Sequence, residues 1–357
     1  MKTKLCILFG GRSSEHEVSL VSAYGVLTNV DRELFETVPI GITKEGVWYL
    51  FSGDTEKIKS GEWADDAENL KRVALDPAPG GSNLLVTEKD GTISRVDVDV
   101  VFPVLHGANG EDGTVQGALE VAGIPFVGAD HTSSGVCMDK TFTKCIVGGT
   151  CGVRQARAVI LTKRKYLVDP SGAADLVRAL GYPVFVKPAR AGSSVGVTKV
   201  RREEDLEAAL EKAFSEDDKI LVEEFIDGRE IEVAVMETED VVTSSEAGEI
   251  DPGFDFYDYD TKYQNDTASY YIPARLKPEV AEKVKATARK IFLALDCRTL
   301  SRVDFFVTKD DEIVFNEINT IPGFTPISMY PKLFINSGMT YTEIITALVS
   351  SALKKGV

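Results

Sequence analysis

The strongest constraint on the fold lies at the start of the chain, where an apolar run leads directly into a glycine pair and a helical pattern. Residues 5–9 form the run, Gly10 and Gly11 follow, and residues 18–29 have helical character. A buried strand, a glycine turn and a helix are typical of the first unit of a doubly wound α/β layer. Ser14 and Glu17 have the spacing of a capping box, which predicts the helix start.

The rest of the chain continues this alternation and predicts three α/β (α+β) domains, 1–128, 129–219 and 220–357. Residues 37–42 and 98–105 are strand-like, whereas 52–92 have the composition of an irregular insertion. A helical pattern at 133–147 leads into the second domain. The third contains a long helix at 278–295 and an aromatic loop at 251–268. An aromatic loop of this length is suited to cover a site as a lid.

Charge, hydropathy and cysteine usage exclude several classes of function. The formal net charge of −16 argues against nucleic-acid binding, which needs a basic surface. No apolar run approaches the roughly 18 residues that a membrane span needs. The five cysteines are scattered and lack zinc-site spacing, so we expect reduced thiols in a cytoplasmic protein.

The stretch Gly192-Ser-Ser-Val-Gly196 matches G-x-S-x-G, the turn that carries the nucleophile of α/β-hydrolases. That turn requires a following helix and a histidine later in the chain. Here a β-like stretch follows, and all three histidines, His16, His106 and His131, precede the motif. The sequence therefore favours a small loop that holds phosphate over a loop that carries a nucleophile.

A second motif, at residues 301–319, has two β-like runs around Lys309-Asp-Asp-Glu312. If Asp310 and Asp311 form the turn, Asp304 faces Glu317 and Arg302 faces Asn319, all on one side of the hairpin. Opposed carboxylates repel unless a cation lies between them, and such oxygen ligands suit Mg²⁺. The alternative is a solvated acidic hairpin. The chain has no G-x-x-x-x-G-K-[ST] loop, so lysines and a mobile loop would hold a nucleoside triphosphate.

Six stretches occur together and in the order found in one known family. They are 10–20, 106–114, 138–140, 185–200, 256–263 and 302–323. Through them the chain resembles the ATP-grasp ligases, and within these the D-alanine–D-alanine ligase family. The resemblance implies an ATP-grasp fold, with ATP between the central and C-terminal domains. It also implies ATP-dependent ligation of two D-alanines through an acyl phosphate, for peptidoglycan synthesis.

The resemblance also implies roles for particular residues. Glu15, Ser193, Tyr263, Arg302 and Gly323 would be catalytic, with Glu15 held in place by Ser193 and Tyr263. His106, Lys262, Ser328 and Met329 would bind the amino-acid substrates. ATP would be bound by Lys140, Lys187, Glu223, Phe225, Ile226 and Glu230. Two Mg²⁺ ions, or Mn²⁺ in their place, would be bound by Asp304, Glu317 and Asn319. The partners would be small molecules only, with no nucleic acid and no membrane, and the chain would form a homodimer.

Relatives within the same resemblance join D-alanine to D-serine instead, and this alternative stays open. Apolar Met329 after Ser328 favours a methyl group on the second substrate, and therefore D-alanine. A pocket that discriminates by one small group is limited to about 1–3 kcal/mol.

Overall fold

Strands and helices alternate along the chain in the computed structural model, which describes residues 2–78, 84–239, 241–251, 253 and 269–355. The strands are β1 Thr3–Gly10, β2 Phe35–Ile42, β3 Trp48–Phe51, β4 Leu70–Leu75, β5 Leu84–Thr87, β6 Ile93–Val96, β7 Val100–Leu105, β8 Arg154–Gln155, β9 Ala158–Thr162, β10 Val184–Pro188, β11 Thr198–Val200, β12 Lys219–Glu224, β13 Gly228–Thr238, β14 Val241–Asp251, β15 Ser269–Tyr271, β16 Leu300–Thr308 and β17 Ile313–Asn319. The α-helices are His16–Asn29, Thr55–Ser60, Thr114–Val121, His131–Met138, Lys140–Thr150, Lys163–Val168, Pro170–Arg178, Leu206–Glu216, Pro278–Ala294, Met329–Asn336 and Tyr341–Lys355.

The N-terminal sheet has the strand order β6-β5-β4-β3-β2-β1-β7. β1 lies between β2 and β7 and is parallel to both. Its last six residues are buried, as expected for a strand with helices or loops over both faces. The predicted α/β layer is confirmed, but its parallel part ends at β2, because β3 to β6 pair antiparallel.

The predicted irregular insertion at 52–92 is wrong. Within it the described residues form a helix, Thr55–Ser60, and the strands β4 and β5, which extend the N-terminal sheet. These strands are short, and β4 has a single fully buried residue, Val73. Short strands with one face toward solvent give a weak apolar pattern, so the sequence alone did not reveal them.

The first helix starts differently from the capping-box prediction. It begins at His16 with Glu15 at the N-cap position, and no side chain caps it there. Glu17 instead forms an ion pair with Lys44. The Glu15 carboxylate is not used as a cap and instead accepts a hydrogen bond from the Ser193 hydroxyl.

A four-stranded sheet, β11-β10-β12-β9, and a six-stranded sheet, β15-β14-β13-β16-β17-β8, make up the rest of the described strands. The helix Pro278–Ala294 buries Val280, Val284, Ala288 and Ile291 against the six-stranded sheet, at the spacing of one helix face. Residues 137–151 contribute to the same core. In the described part of the chain, no helix is long and apolar enough to cross a membrane.

The helix predicted at 133–147 is two helices, separated at Asp139. Asp139 has an extended backbone, and its carboxylate accepts hydrogen bonds from the N–H groups of Thr141 and Phe142. A side-chain oxygen at this position satisfies N–H groups that the helix leaves unpaired. The interruption makes Lys140 the first residue of the second helix.

Trp63 packs the antiparallel strands β3 to β6 against the parallel strands of the N-terminal sheet, through Phe51 on β3 and Phe9 on β1. Its ring is fully buried, edge-on to Phe9 at a centroid distance of 5.1 Å. A Cβ on Gly41 would overlap the Trp63 ring. We expect Gly41→Ala to lower the free energy of unfolding by about 1–3 kcal/mol, because the ring has no room to shift.

The measurement is thermal unfolding followed by circular dichroism. Gly149→Ala is the control, since a Cβ there meets nothing within 4 Å and the residue lies in a helix. It should leave the midpoint unchanged or raise it slightly. Equal midpoints for Gly41→Ala and the wild type would contradict the proposed packing.

Candidate active site

A cavity of about 460 Å³ is lined by residues of the four-stranded and six-stranded sheets. Its size falls within the range of small-molecule sites. Eleven of the predicted site residues line it: Lys140, Lys187, Ser193, Glu223, Phe225, Ile226, Glu230, Arg302, Asp304, Glu317 and Asn319. Gly107 and Glu111, which follow β7 of the N-terminal sheet, also reach it. The residues predicted to bind nucleotide and those predicted to bind metal therefore line the same cavity.

The floor of this cavity is formed by β13, β16 and β17, which lie side by side. Glu232 on β13 is opposite Asp304 on β16, and Asp304 is opposite Glu317 on β17. Arg302 is opposite Asn319, so both predicted facing pairs are observed. Directly opposed residues share one face of an antiparallel sheet.

The predicted two-residue turn of this hairpin is wrong, because the turn contains three residues, 309–311. Asp311 has a positive φ of 61°, and its N–H donates to the Thr308 carbonyl at 3.0 Å. A type I turn followed by such a left-handed residue is a longer hairpin turn. It places Phe305 opposite Phe315, and a bulge at Asn316 then restores Asp304 to its position opposite Glu317. Without the bulge, Glu317 would lie on the other face.

Arg302 is held by two carboxylates. Its Nε and Nη2 donate to the two oxygens of Asp304 at 2.8 and 2.7 Å, and its Nε lies 3.0 Å from Glu232 Oε2. Burial, the largest influence, lowers the pKa of Arg302, but Asp304 and Glu232 together raise it well above its usual value. The guanidinium stays charged and fixed in direction, as stabilisation of a developing anion requires.

The residues predicted to bind metal fit a hard divalent cation. Asp304 and Glu317 offer carboxylates on adjacent strands, and the Asn319 amide lies 3.0 Å from Asp304 through its nitrogen. Rotation of that amide would turn its oxygen toward the same space. Among the described residues no three His, Cys, Asp or Glu side chains converge as a metal site. Two carboxylates and one amide, completed by substrate oxygens, match the ligand set that Mg²⁺ prefers.

Three lysines face these acids from the opposite side. Lys140 Nζ lies 3.5 Å from Glu317 Oε2 and donates to the Ala191 carbonyl at 2.9 Å. Lys187 forms an ion pair with Glu223, whose other oxygen lies 2.5 Å from Lys144 Nζ.

This pairing determines the charge of Glu223 and Lys187. Burial raises the pKa of Glu223 most, but Lys187 and Lys144 outweigh it and lower that pKa to about 2. Burial lowers the pKa of Lys187 most, but Glu223, Glu317 and Glu230 raise it above its ordinary value. Glu223 and Lys187 are therefore both ionised at neutral pH.

One end of the cavity is apolar and aromatic. Phe185 and Phe225 lie with ring centroids 6.1 Å apart, and Lys199 Nζ is 4.1 Å from the centre of the Phe225 ring. The Phe225 N–H donates to the Pro183 carbonyl at 3.2 Å. A base bound here would therefore use the Phe225 carbonyl or the backbone of Ile226.

The Gly192–Gly196 loop connects β10 and β11, which pair antiparallel. No helix follows it, so the loop is not a nucleophile elbow, in agreement with the sequence argument. Ser193 and Ser194 both have positive φ, 48° and 59°, a conformation that is strained for residues other than glycine. The Ser193 hydroxyl donates to Glu15, as the resemblance implied. That contact ties the loop to the N-terminal sheet.

A second group of predicted residues surrounds the turn after β17. His106 Nε2 lies 3.1 Å from the Ser22 hydroxyl, and His106 Nδ1 lies 3.3 Å from the Ile321 carbonyl. A Cβ on Gly323 would lie 3.0 Å from the Ser328 hydroxyl. Ser328 in turn accepts a hydrogen bond from the Thr325 N–H at 3.1 Å. His106, Gly323 and Ser328 therefore lie around one turn.

Three predicted residues do not join these groups. Tyr263 and Lys262 lie outside the described residues, as does most of the predicted lid at 251–268. Met329 is buried in the core and does not line the cavity; its terminal methyl group packs over Gly248. Its contact with substrate stays a prediction.

Sequence reasoning missed Lys144 and Glu232, which line the cavity and contact predicted site residues. In both cases the spacing from a predicted site residue could have indicated the same face of the helix or strand. Lys144 follows Lys140 by one helical turn, and Glu232 follows Glu230 by the strand period of two.

Comparison with known proteins finds similar sequences and structures over nearly the whole chain. Residues 4–129 match the family described as D-ala D-ala ligase N-terminus, and 149–350 match D-ala D-ala ligase C-terminus. The chain is 46% identical over 357 residues to the D-alanine–D-alanine ligase of Caldicellulosiruptor bescii, covering 99% of this chain and 96% of that one. The Clostridium novyi ligase is also 46% identical, with 99% of both chains covered.

Two solved structures show the same similarity in three dimensions. The VanG D-Ala:D-Ser ligase from Enterococcus faecalis has a TM-score of 0.90 and 40% identity, covering 99% of this chain and 100% of its own. The D-alanine–D-alanine ligase from Coxiella burnetii has a TM-score of 0.86 and 31% identity, covering 99% and 94%.

His106 generates a prediction about pH. Burial, the largest influence, lowers the pKa of His106, but Glu111 and Glu15 outweigh it, so the folded-state pKa lies above the unfolded value of about 6.5. A raised pKa contributes stability that is complete below about pH 6.5 and is lost as the pH rises through the folded pKa. We expect the free energy of unfolding of the ligand-free protein to fall above about pH 6.5, by at most about 1.4 kcal/mol per pH unit for one proton.

Denaturant unfolding at several pH values measures this slope. His106→Gln should flatten it, because the group that titrates is removed. A variant slope equal to that of the wild type would assign the pH dependence to another group.

Proposed function

Because the chain belongs to the D-alanine–D-alanine ligase family, an ATP-dependent ligase family of cell-wall synthesis, we propose how its residues carry out that reaction. The reaction joins two D-alanines into D-alanyl-D-alanine. The carboxylate of the first attacks the γ-phosphorus of ATP and releases ADP, and the amine of the second then displaces phosphate from the acyl phosphate. One observation carries the proposal: Lys140, Lys144 and Lys187 line the same cavity as the charged residues of the hairpin that contains Arg302 and Asn319.

The triphosphate would lie between the lysines and the hairpin. Lys140 pairs with Glu317 on the hairpin, and Lys187 pairs with Glu223 on the neighbouring strand of its own sheet. Both lysines line the cavity, so their ammonium groups are available to the phosphates. Phosphoryl transfer depends mainly on positioning and charge neutralisation, which fixed lysines supply. The loop with Ser193 would close over the phosphates. Water has to be excluded, because an acyl phosphate hydrolyses readily.

The nucleoside would occupy the aromatic end of the cavity. We propose that Glu223 accepts a hydrogen bond from the adenine amino group, with Phe225 and Ile226 against the base. Glu230, two residues into β13, would hold the ribose. Each of these residues lines the cavity.

Asp304, Glu317 and Asn319 would hold two Mg²⁺ ions, for which Mn²⁺ is the alternative. Bound there, the metal neutralises charge on the phosphate oxygens and orients them. Arg302 lies beside these residues and would stabilise the oxyanion formed when the second amine attacks, together with the Gly323 N–H.

The two D-alanines would bind at the edge of the cavity nearest the N-terminal sheet. Glu15 would accept the ammonium group of the first, held in place by Ser193 and close to His106. Ser328 lies beside Gly323 and would bind the carboxylate of the second. Tyr263 and Lys262 would complete these two sites.

Three broader assignments are also part of the proposal. They are the domains 1–128, 129–219 and 220–357, the homodimer and the cytoplasmic location. The three sheets support the division, although residues 137–151 pack with the six-stranded sheet. The family membership supports the other two.

We predict that the purified protein releases phosphate from ATP with D-alanine as the sole amino acid, and only with a divalent metal present. With D-alanine and D-serine in equal concentration, mass spectrometry should show D-alanyl-D-alanine as the main product. The two side chains differ by one hydroxyl, worth about 1–3 kcal/mol, so some D-alanyl-D-serine is expected. A mixture dominated by D-alanyl-D-serine would support the VanG-like alternative instead.

The metal assignment predicts the effect of Glu317→Gln. The variant should fold, because Glu317 lies at the cavity surface with 28% of its side chain exposed. Its kcat should fall by at least about 100-fold, because metal-assisted catalysis supplies several kcal/mol. The dependence of rate on Mg²⁺ concentration should also shift to higher values.

Asp310→Asn is the matched control, since it makes the same charge change on the exposed turn of the same hairpin. It should keep wild-type kcat and the same Mg²⁺ dependence. Wild-type turnover by Glu317→Gln would remove Glu317 from the metal site.

A further inference from the structure

The helix Lys140–Thr150 presents two lysines to the cavity. Lys140 and Lys144 are four residues apart, so they lie one above the other on one face of the helix. Lys140 reaches Glu317 on the hairpin, whereas Lys144 reaches Glu223 on β12 of the four-stranded sheet. The proposed function uses the first lysine and leaves the second without a role.

Lys144 and Lys187 hold the same carboxylate from two sides. Lys144 Nζ lies 2.5 Å from one oxygen of Glu223, and Lys187 contacts the other oxygen. The three side chains are largely buried, with 11%, 15% and 4% of Lys144, Lys187 and Glu223 exposed. A buried carboxylate is retained in its charged form only when positive charge stays beside it. The low pKa of Glu223 has both lysines as its cause.

The two lysines have different surroundings. Lys187 also faces Glu317 and Glu230, the acids on the phosphate and ribose side of the cavity. A bound triphosphate places more negative charge on that side and competes with Glu223 for the Lys187 ammonium group. The contact between Lys144 and Glu223 is on the other oxygen, away from that competition.

We propose that Lys144 is a positioning residue for nucleobase recognition. It keeps Glu223 charged and directed at the amino group of adenine when Lys187 turns to the phosphates. This inference rests on the proposed function, in which Glu223 contacts adenine. Lys144 acts through Glu223 and does not touch the nucleotide.

The discriminating probe is a pair of nucleotides, ATP and inosine triphosphate. They differ at position 6 of the base, where ATP has an amino group and inosine triphosphate an oxo group. A carboxylate acceptor at that position favours the first and repels the second. Steady-state kcat and KM are measured for each nucleotide at saturating D-alanine and Mg²⁺.

For Lys144→Met we expect KM for ATP to rise about tenfold while kcat stays within about threefold of wild type, and the ATP preference in kcat/KM to fall about tenfold. Lys144→Arg should restore most of that preference, because it returns the charge beside Glu223. Lys165→Met is the control, since Lys165 is exposed and does not line the cavity. Circular dichroism checks folding, and Lys144→Gln replaces the Met variant if that variant unfolds.

Glu223→Gln separates a failure of this inference from a failure of the proposed function. If Glu223→Gln loses the ATP preference while Lys144→Met and Lys144→Gln keep it, Lys144 has no positioning role and the adenine contact stands. If Glu223→Gln keeps the wild-type preference, the adenine contact itself is wrong. If Lys144→Met loses kcat equally with both nucleotides, Lys144 contacts phosphate and the inference is overturned.

Discussion

The register of three antiparallel strands determines which charges meet in the cavity. β13, β16 and β17 each contribute residues to one face, and the pairing places Glu232, Asp304 and Glu317 in a row across them. Arg302 lies on the same face and is fixed between Asp304 and Glu232. A slip of one residue would turn one strand's charges into the hydrophobic core, so the core enforces the register that the chemistry needs.

Many acidic and basic side chains line the cavity, and they are stabilised by pairing with each other. The acids lie mainly on the six-stranded sheet, and the lysines lie on β10 and the helix Lys140–Thr150. Each group has an opposite charge within a few ångströms, as in Lys140–Glu317 and Lys144–Glu223. Loss of both lysine partners would leave the buried Glu223 carboxylate without a compensating charge, which is strongly unfavourable. A substrate that breaks one of these ion pairs therefore has to supply a new partner for the group that it frees.

The sequence was sufficient for the elements that have a strong period and for the facing pairs of the hairpin. The helix Pro278–Ala294 differs from its prediction by one residue at its end. The facing pairs were correct although the assumed turn was not, because the bulge at Asn316 compensates for the left-handed Asp311. Short strands such as β4 carry too few apolar residues to be recognised. Contacts between distant segments, such as Ser193 with Glu15, depend on the tertiary fold and entered only through resemblance.

The bulge at Asn316 gives the hairpin a parity rule. With a turn made of an odd number of residues, 309–311, the residues between Asp304 and Glu317 cannot all be paired, and one must stand outside the ladder. Removing Asn316 would leave four residues on each side of the turn, so Asp304 and Glu317 could face each other without a bulge. Adding one residue to either strand would instead need a second bulge to keep that pair together. The hairpin therefore has one residue of length to spare, and that residue lines the cavity.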